Sequence, residues 1–155
     1  MYRGFDLLEP IRHRVNDIDA NNYTDEEILS VLNSSIRLLS KILIARKSPE
    51  MIAAETIVDH QAVPEGYHSL VGAYPVWREG LVLRTSTGRA AVPIRYWCEK
   101  GTIKALDEDI PYPEDYADAI IEASVARLLL TDEFDATAEQ ALAERVCTLL
   151  PGEAQ

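Results

Sequence analysis

Three histidines, two cysteines and a few carboxylate clusters are the side chains of this 155-residue chain whose types could do chemistry. Asp59-His60 and His68-Ser69 have the composition of acid–base or nucleophile pairs. Neighbours on a strand point to opposite faces, however, so adjacency alone does not make a hydrogen-bonded couple. Neither a GxSxG elbow nor an HExxH pair occurs. Cys98 and Cys147 lie far apart with no CxxC, which argues against a disulfide framework or zinc ribbon and fits a reducing compartment. Beside Trp97 and Val146 they read as packing side chains. The loop Asp17-Ile18-Asp19-Ala20-Asn21-Asn22 begins like a calcium loop, with oxygens at positions one, three and five. Asn22 stands where the sharp turn needs glycine, and Ile28 where the shell needs a bidentate glutamate. Asp107, Glu108, Asp109, Glu114 and Asp115 could gather around a divalent cation. No glycine-rich phosphate cradle accompanies them, and solvated linker charge is the stronger reading. The expectation is therefore no catalytic residue, no metal ligand, no cofactor and no enzyme. A small hydrolase using His60 or His68 is the weakest reading.

A different constellation stands out in the middle of the chain. Tyr67, Tyr74, Trp77, Tyr96 and Trp97 fall within 31 residues, interleaved with Arg78, Arg84, Arg89 and Arg95. Aromatic and basic side chains together suit single-stranded nucleic acid. They suit a protein interface equally well, because Trp, Tyr and Arg are its favoured anchors. The charge of the chain ranks the two. With 15 basic against 26 acidic side chains the net charge is −11, and sequence-independent affinity for nucleic acid comes from Lys and Arg displacing counterions. That charge is segregated along the sequence: residues 77–106 carry +4 and residues 107–155 carry −11. Such polarity would let copies of the chain dock on one another. Solubility alone also explains it.

The elements that must position these side chains follow from periodicity and punctuation. Leu8, Ile11, Val15 and Ile18 predict a short amphipathic helix over Phe5–Ile18, with Pro10 near its first turn. Thr24 and Glu27 form a capping box for a long helix carrying Ile28, Leu32, Ile36, Leu39 and Leu43 on one face. Ser48-Pro49 ends it or starts a new turn. Breakers crowd residues 64–80, so turns and short strands are expected there. Leu81–Thr85 reads as a strand, Ser86-Thr87-Gly88 as a hairpin turn and Ala91–Trp97 as its partner, with Pro93 pushing that strand to a sheet edge. Thr102-Ile103 adds a short strand.

After a proline-broken linker at 106–113, an alanine-rich helix runs from Glu114 to about Leu130. Ala119, Ala123 and Ala126 leave room on it for another helix. Thr137 and Gln140 cap a last helix centred on Leu142, Val146 and Leu149. The expected fold is α+β: a helical bundle with an inserted antiparallel β-meander of three to four strands. It forms one domain over 1–155, with N-terminal helices at 1–50, the β region at 53–106, C-terminal helices at 107–150 and a tail at 151–155. No apolar run reaches the ~18–20 residues of a membrane span, and the N-terminus lacks a signal peptide's apolar stretch.

Over most of its length this layout resembles the head–tail adaptor (connector, or neck) proteins of tailed bacteriophages. IRHRVNDIDANNYTDEEILSVLNSSIRLLS resembles the family's opening, a short helix ending in Asn-Asp before a Thr-Asp-capped long helix with a Leu-Asn pair, here Leu32-Asn33. VPEGYHSL and YPVW resemble its β region and loop. DIPYPEDYADAIIEASVARLLL resembles its return helix. The resemblance implies a structural virion protein forming a ring, usually of twelve subunits, between the portal and the tail or a second neck protein. Genomic DNA would pass through the lumen without specific binding, and no membrane is involved. It also implies contacts made by the C-terminal helix and tail, here Leu142, Val146, Leu149 and Gln155, and by the β segment. Trp77, Arg78, Arg84, Arg89, Arg95, Tyr96 and Trp97 complete the expected interface. The alternative is a small binding module whose aromatic and basic β surface takes a peptide or single-stranded nucleic acid.

Overall fold

The computed structural model describes residues 2–129 and 136–151, and of Ala136 and Thr137 the backbone only. Among the described residues the fold is α+β, with four α-helices and two small antiparallel sheets of three strands each. The chain divides into a helical unit, residues 1–42 and 100–155, and a β unit, residues 43–99.

In the helical unit α1 (Gly4–Arg14), α2 (Asp25–Ala45), α3 (Ala117–Leu129) and α4 (Ala136–Leu149) supply the packing faces, α2 up to residue 42. The α2 stripe is the one its periodicity predicts: Ile28, Leu32, Ile36 and Leu39 are all buried. Thr24 Oγ1 accepts the Glu27 N–H at 3.1 Å, satisfying a donor that the first turn leaves orphaned. By length and composition α2 could cross a membrane, with a mean hydropathy of 1.5 over its apolar window, so the expectation that no run is long enough is corrected. Buried against its own unit, that face reads as a core stripe.

α1 differs from its expected register. It ends at Arg14, and it buries Leu7 and Ile11 while Ile18 lies exposed. Pro10 sits in its second turn, inside the helix. The small residues of α3 behave as their size suggests: Ala119, Ala123 and Ala126 are buried, and Ser124 Oγ comes within 2.9 Å of Ser35 Oγ on α2. Glu122 on α3 receives Arg14 from α1 at 2.8 Å and Arg145 from α4 at 3.0 Å. Arg14 first, and Arg145 with it, hold this carboxyl below its ordinary pKa against the opposing effect of burial. The last helix buries Leu142 and Val146, and Leu150 just past its end is buried too, whereas Leu149 faces outward. The Thr137 cap lies outside the described side chains.

The stretch 106–113 is better ordered than its prolines suggest. Gly4 N–H reaches Glu108 O at 3.2 Å, Phe5 N–H reaches Leu106 O at 2.8 Å, and Ile110 N–H reaches Tyr2 O at 2.9 Å. Ile110 and Tyr112 are buried, and Ser40 shares a hydrogen bond with the Tyr112 hydroxyl. Burial, helped by Glu114, pushes the Tyr2 phenol up to about 12. Thr102-Ile103 forms no strand. Instead Asn33 grips Ile103 as a strand partner would: its Nδ2 donates to Ile103 O at 2.8 Å and its Oδ1 accepts the Ile103 N–H at 2.9 Å. Asn33→Ala strands two largely buried backbone groups. It should lower stability by about 2 kcal/mol, read as a shift of the urea midpoint with an unchanged slope.

The β unit opens on the end of α2. Lys47 takes φ +55, its N–H bonds Ile44 O at 2.9 Å and the Ser48 N–H bonds Leu43 O at 2.9 Å, which is a Schellman ending. A non-glycine residue pays strain there, so Lys47→Gly should gain about 0.5–1 kcal/mol in denaturant unfolding.

Six strands follow: β1 (Ile52–Ile57), β2 (Gln61–Ala62), β3 (Tyr67–Leu70), β4 (Val76–Glu79), β5 (Val82–Thr85) and β6 (Val92–Cys98). They form sheets of order β1-β6-β3 and β2-β5-β4. The expected hairpin between 81–85 and 91–97 does not form, since β5 pairs β4 and β6 pairs β1. The tight hairpin is β4–β5, turned at Gly80-Leu81 with Gly80 at φ +62. Pro93 stands in the central strand β6, not an edge strand. It is tolerated because β3 reaches only Tyr96–Cys98, so β6 is locally an edge at Pro93. Ile57, Val76, Leu83, Val92, Ile94 and Tyr96 from both sheets form one core.

Candidate functional site

The aromatic and basic set divides when placed on this framework. Trp77 and Arg84 stand directly opposite one another across β4 and β5, on the outer face of one sheet. Pro93 and Arg95 alternate with inward Val92, Ile94 and Tyr96, and so lie on the outer face of the other. Trp97 is half-buried, and Tyr96 is a core residue 5.5 Å from the ring of Tyr67. Its phenol is raised by burial first and by the charges of Cys98 and Glu55 after it. Arg89 sits exposed in the β5–β6 loop. Of the C-terminal set, Leu142 and Val146 are interior, Leu149 offers partial surface, and Gln155 lies outside the described residues. Within the β unit the expected residues therefore form no single patch.

Electrostatics redraws the site further. Arg84 Nε donates to Asp59 at 2.9 Å and Nη1 to Glu79 at 3.2 Å. The Thr85 N–H, also 2.9 Å away, and Arg84 together hold the Asp59 carboxyl below its ordinary pKa. Arg84 is thus a pinned, neutralised cation. The whole β unit holds six basic and six acidic side chains, and the helical unit holds nine and twenty. All of the −11 belongs to the helical unit, and within the β unit the basic side chains are matched in number by acidic ones, of which Asp59 and Glu79 meet Arg84 directly.

What the β unit does present is apolar. Leu81 at the β4–β5 turn is 81% exposed, Trp77 is 46% exposed and Val58 is 47% exposed. All three belong to the β2-β5-β4 side, Val58 in the turn leading into β2. Leu81 escaped the sequence reading because it was counted as the first residue of a strand. The clue was Gly80 before it, the residue a two-residue hairpin turn wants first. On the opposite face a groove of about 410 Å³ runs over β1 and β6, walled by Tyr74 and Arg95.

The residues weighed for catalysis have other occupations. His68 Nδ1 does reach Ser69 Oγ at 2.9 Å, because a bulge in β3 breaks the alternation that should separate them. His60 Nε2 lies 3.7 Å from Asp59 Oδ2, while the other oxygen of that carboxylate holds Arg84 and Thr85. In the loop that starts like a calcium site, Asp17 is buried. Its Oδ1 accepts the N–H groups of Asn21 and Asn22, and its Oδ2 accepts those of Tyr23 and Arg12. Among the described residues no three His, Cys, Asp or Glu side chains converge as metal ligands would. No family model matches the chain, and no curated protein matches it. The functional reading rests on surface and sequence.

Proposed function

We propose that the chain is a structural, ring-forming connector of a tailed-phage particle, seated between the portal and the tail or a second neck protein. The exposed Trp77–Leu81 hairpin carries the reading, because a large aromatic and an aliphatic side chain held out on a tight turn suit a protein partner. The resemblance in the Thr24-capped helix, the Leu32-Asn33 pair and the Pro-Tyr linker supplies the identity of that partner. The acidic helical unit supports it too, since carboxylates beside a channel repel DNA phosphates and let DNA slide. On this reading the protein belongs to the virion and the assembly is a homo-oligomer, in the simplest case twelvefold.

Negative-stain images of the purified protein, alone and mixed with portal, test it. Rings under either condition, reduced by Trp77→Ala with Leu81→Ser, are the expected result. A monomer that stays monomeric with portal present overturns it. The groove by Tyr74 and Arg95 favours a second reading, a module taking an extended peptide. Peptide binding without any ring would favour that module.

A further inference from the structure

In the helical unit, α2, α3 and α4 converge on a cleft of about 170 Å³ lined by Ser34, Arg37, Leu38, Lys41, Arg127 and Glu139. Three cations face one carboxylate there, in a unit where acids outnumber bases twenty to nine. Arg127 Nη2 lies 3.5 Å from Glu139, and its side chain is mostly buried. Arg37 and Lys41 are exposed and have no ion pair among the described residues. They stand one helical turn apart, a spacing at which like charges destabilise a helix. A bound anion would relieve that repulsion. The Ser34 hydroxyl adds a donor, and guanidinium groups suit a carboxylate in two-point contact.

The same unit carries a matching surface. Asp107, Glu114, Asp115 and Asp118 are exposed and have no ion pair among the described residues. Asp107 lies in a stretch held by the N–H groups of Gly4 and Phe5 and by the Tyr2 carbonyl. Glu114, Asp115 and Asp118 stand in a 3-10 turn and the first turn of α3, so all these carboxylates are displayed with little ordering cost on binding.

We propose that the Arg37–Lys41–Arg127 cleft is a carboxylate-binding site whose ligand is the acidic segment 107–118 of a second copy of this chain. The proposal rests on the connector reading in one respect, that copies of the chain meet. Cleft and segment are different surfaces, so the contact is head-to-tail and each subunit offers both halves. It also places the positive partner on the helical unit, where the neutral β unit could not supply it.

Charge reversal tests this in sedimentation velocity at low and high salt. Wild type should self-associate at low salt and lose association as salt rises. Arg37→Glu with Lys41→Glu should abolish association at least tenfold, and so should Glu114→Lys with Asp115→Lys. Neither variant can bind itself, but the two surfaces of each are complementary to those of the other, so mixing the two should restore assembly with the variants alternating. All four changes in one chain should restore assembly. Far-UV circular dichroism matching wild type confirms that each variant is folded. A mixture that stays monomeric, assembly unaffected by either reversal, or a wild type monomeric at every salt overturns the cleft. Rings that survive Arg37→Glu with Lys41→Glu overturn it while leaving the connector reading intact. Salt-sensitive open chains that never close support the cleft and count against the connector.

Discussion

Replacing Arg12 by leucine is expected to cost the helical unit about 3–5 kcal/mol, the scale of removing one partner from a buried ion pair. Arg12 is 6% exposed in the last turn of α1, and both of its terminal guanidinium nitrogens are engaged. Nη1 donates to Asp17 at 3.0 Å and to the Tyr23 carbonyl at 2.9 Å, and Nη2 donates to Asp25 at 2.6 Å. One side chain thus ties the end of α1 to the loop and to the first turn of α2. Leucine fills the volume but leaves the Asp17 carboxylate buried beside a lost cation. The helical signal at 222 nm is the measurement. A midpoint within 1 kcal/mol of wild type would show that solvent, not Arg12, satisfies Asp17.

The same network carries a pH signature. Burial by itself would raise the Asp17 carboxyl, but the N–H groups of Asn22, Tyr23 and Asn21 and the Arg12 guanidinium outweigh it and hold its pKa below the ordinary value. A carboxyl with a depressed folded pKa adds stability above its unfolded value, ~3.9, and loses it as pH falls through the folded value. Wild type should therefore weaken as pH drops below about 4. Asp17→Asn, weaker from the start, should show a shallower acid loss.

The second large effect belongs to the β unit. Gly66 has φ +80, and a Cβ placed there would stand 2.5 Å from the Glu99 carbonyl oxygen and 3.0 Å from Cys98 Sγ. Its own carbonyl accepts the Glu99 N–H at 2.8 Å, so the two backbones cannot separate without losing that bond. Gly66→Ala combines left-handed strain with a backbone clash and should cost about 3 kcal/mol. Trp77 and Trp97 are the only tryptophans and both lie in this unit, so indole fluorescence reads it alone. The fluorescence transition should move to lower denaturant. An unmoved transition would mean that the 64–67 turn is free to adjust.

Local signals were legible in the sequence and long-range ones were not. The α2 stripe and the Thr24 cap depend on residues within a few positions of each other, and they were read correctly. So was the close-packed alanine face of α3. The pairing of β1 with β6 joins Ile52 to Trp97 across the whole unit, and nothing local announces it. Short strands around turns allowed the wrong neighbour, β5, to look like the partner of β6. Nothing in the sequence singles out Arg12 from the other charged residues around α1, because its partners come from a loop that folds back on it and from the start of α2. The candidate site suffered most from linear reading. A window over 77–106 collected the arginines and left out Asp59, which meets Arg84 from outside it, and Leu149 was expected at the core where Leu150, one residue on, is the buried one.

The helical unit is assembled from two stretches of chain separated by the 57 residues of the β unit. On the ribosome, the apolar stripe of Ile28, Leu32 and Ile36 is made well before the α3 and α4 residues that share its unit. At about 5–20 residues per second the intervening segment alone takes roughly 3–11 s to synthesise. The β unit, continuous in sequence, can complete its own core once β6 has emerged, while the α3 and α4 residues that complete the unit of the α2 stripe are still to come. The nascent chain therefore passes through a stage with a finished β unit and a sticky helix. A chaperone that recognises apolar helical faces would find its target there, in a protein whose finished helical unit hides that face entirely.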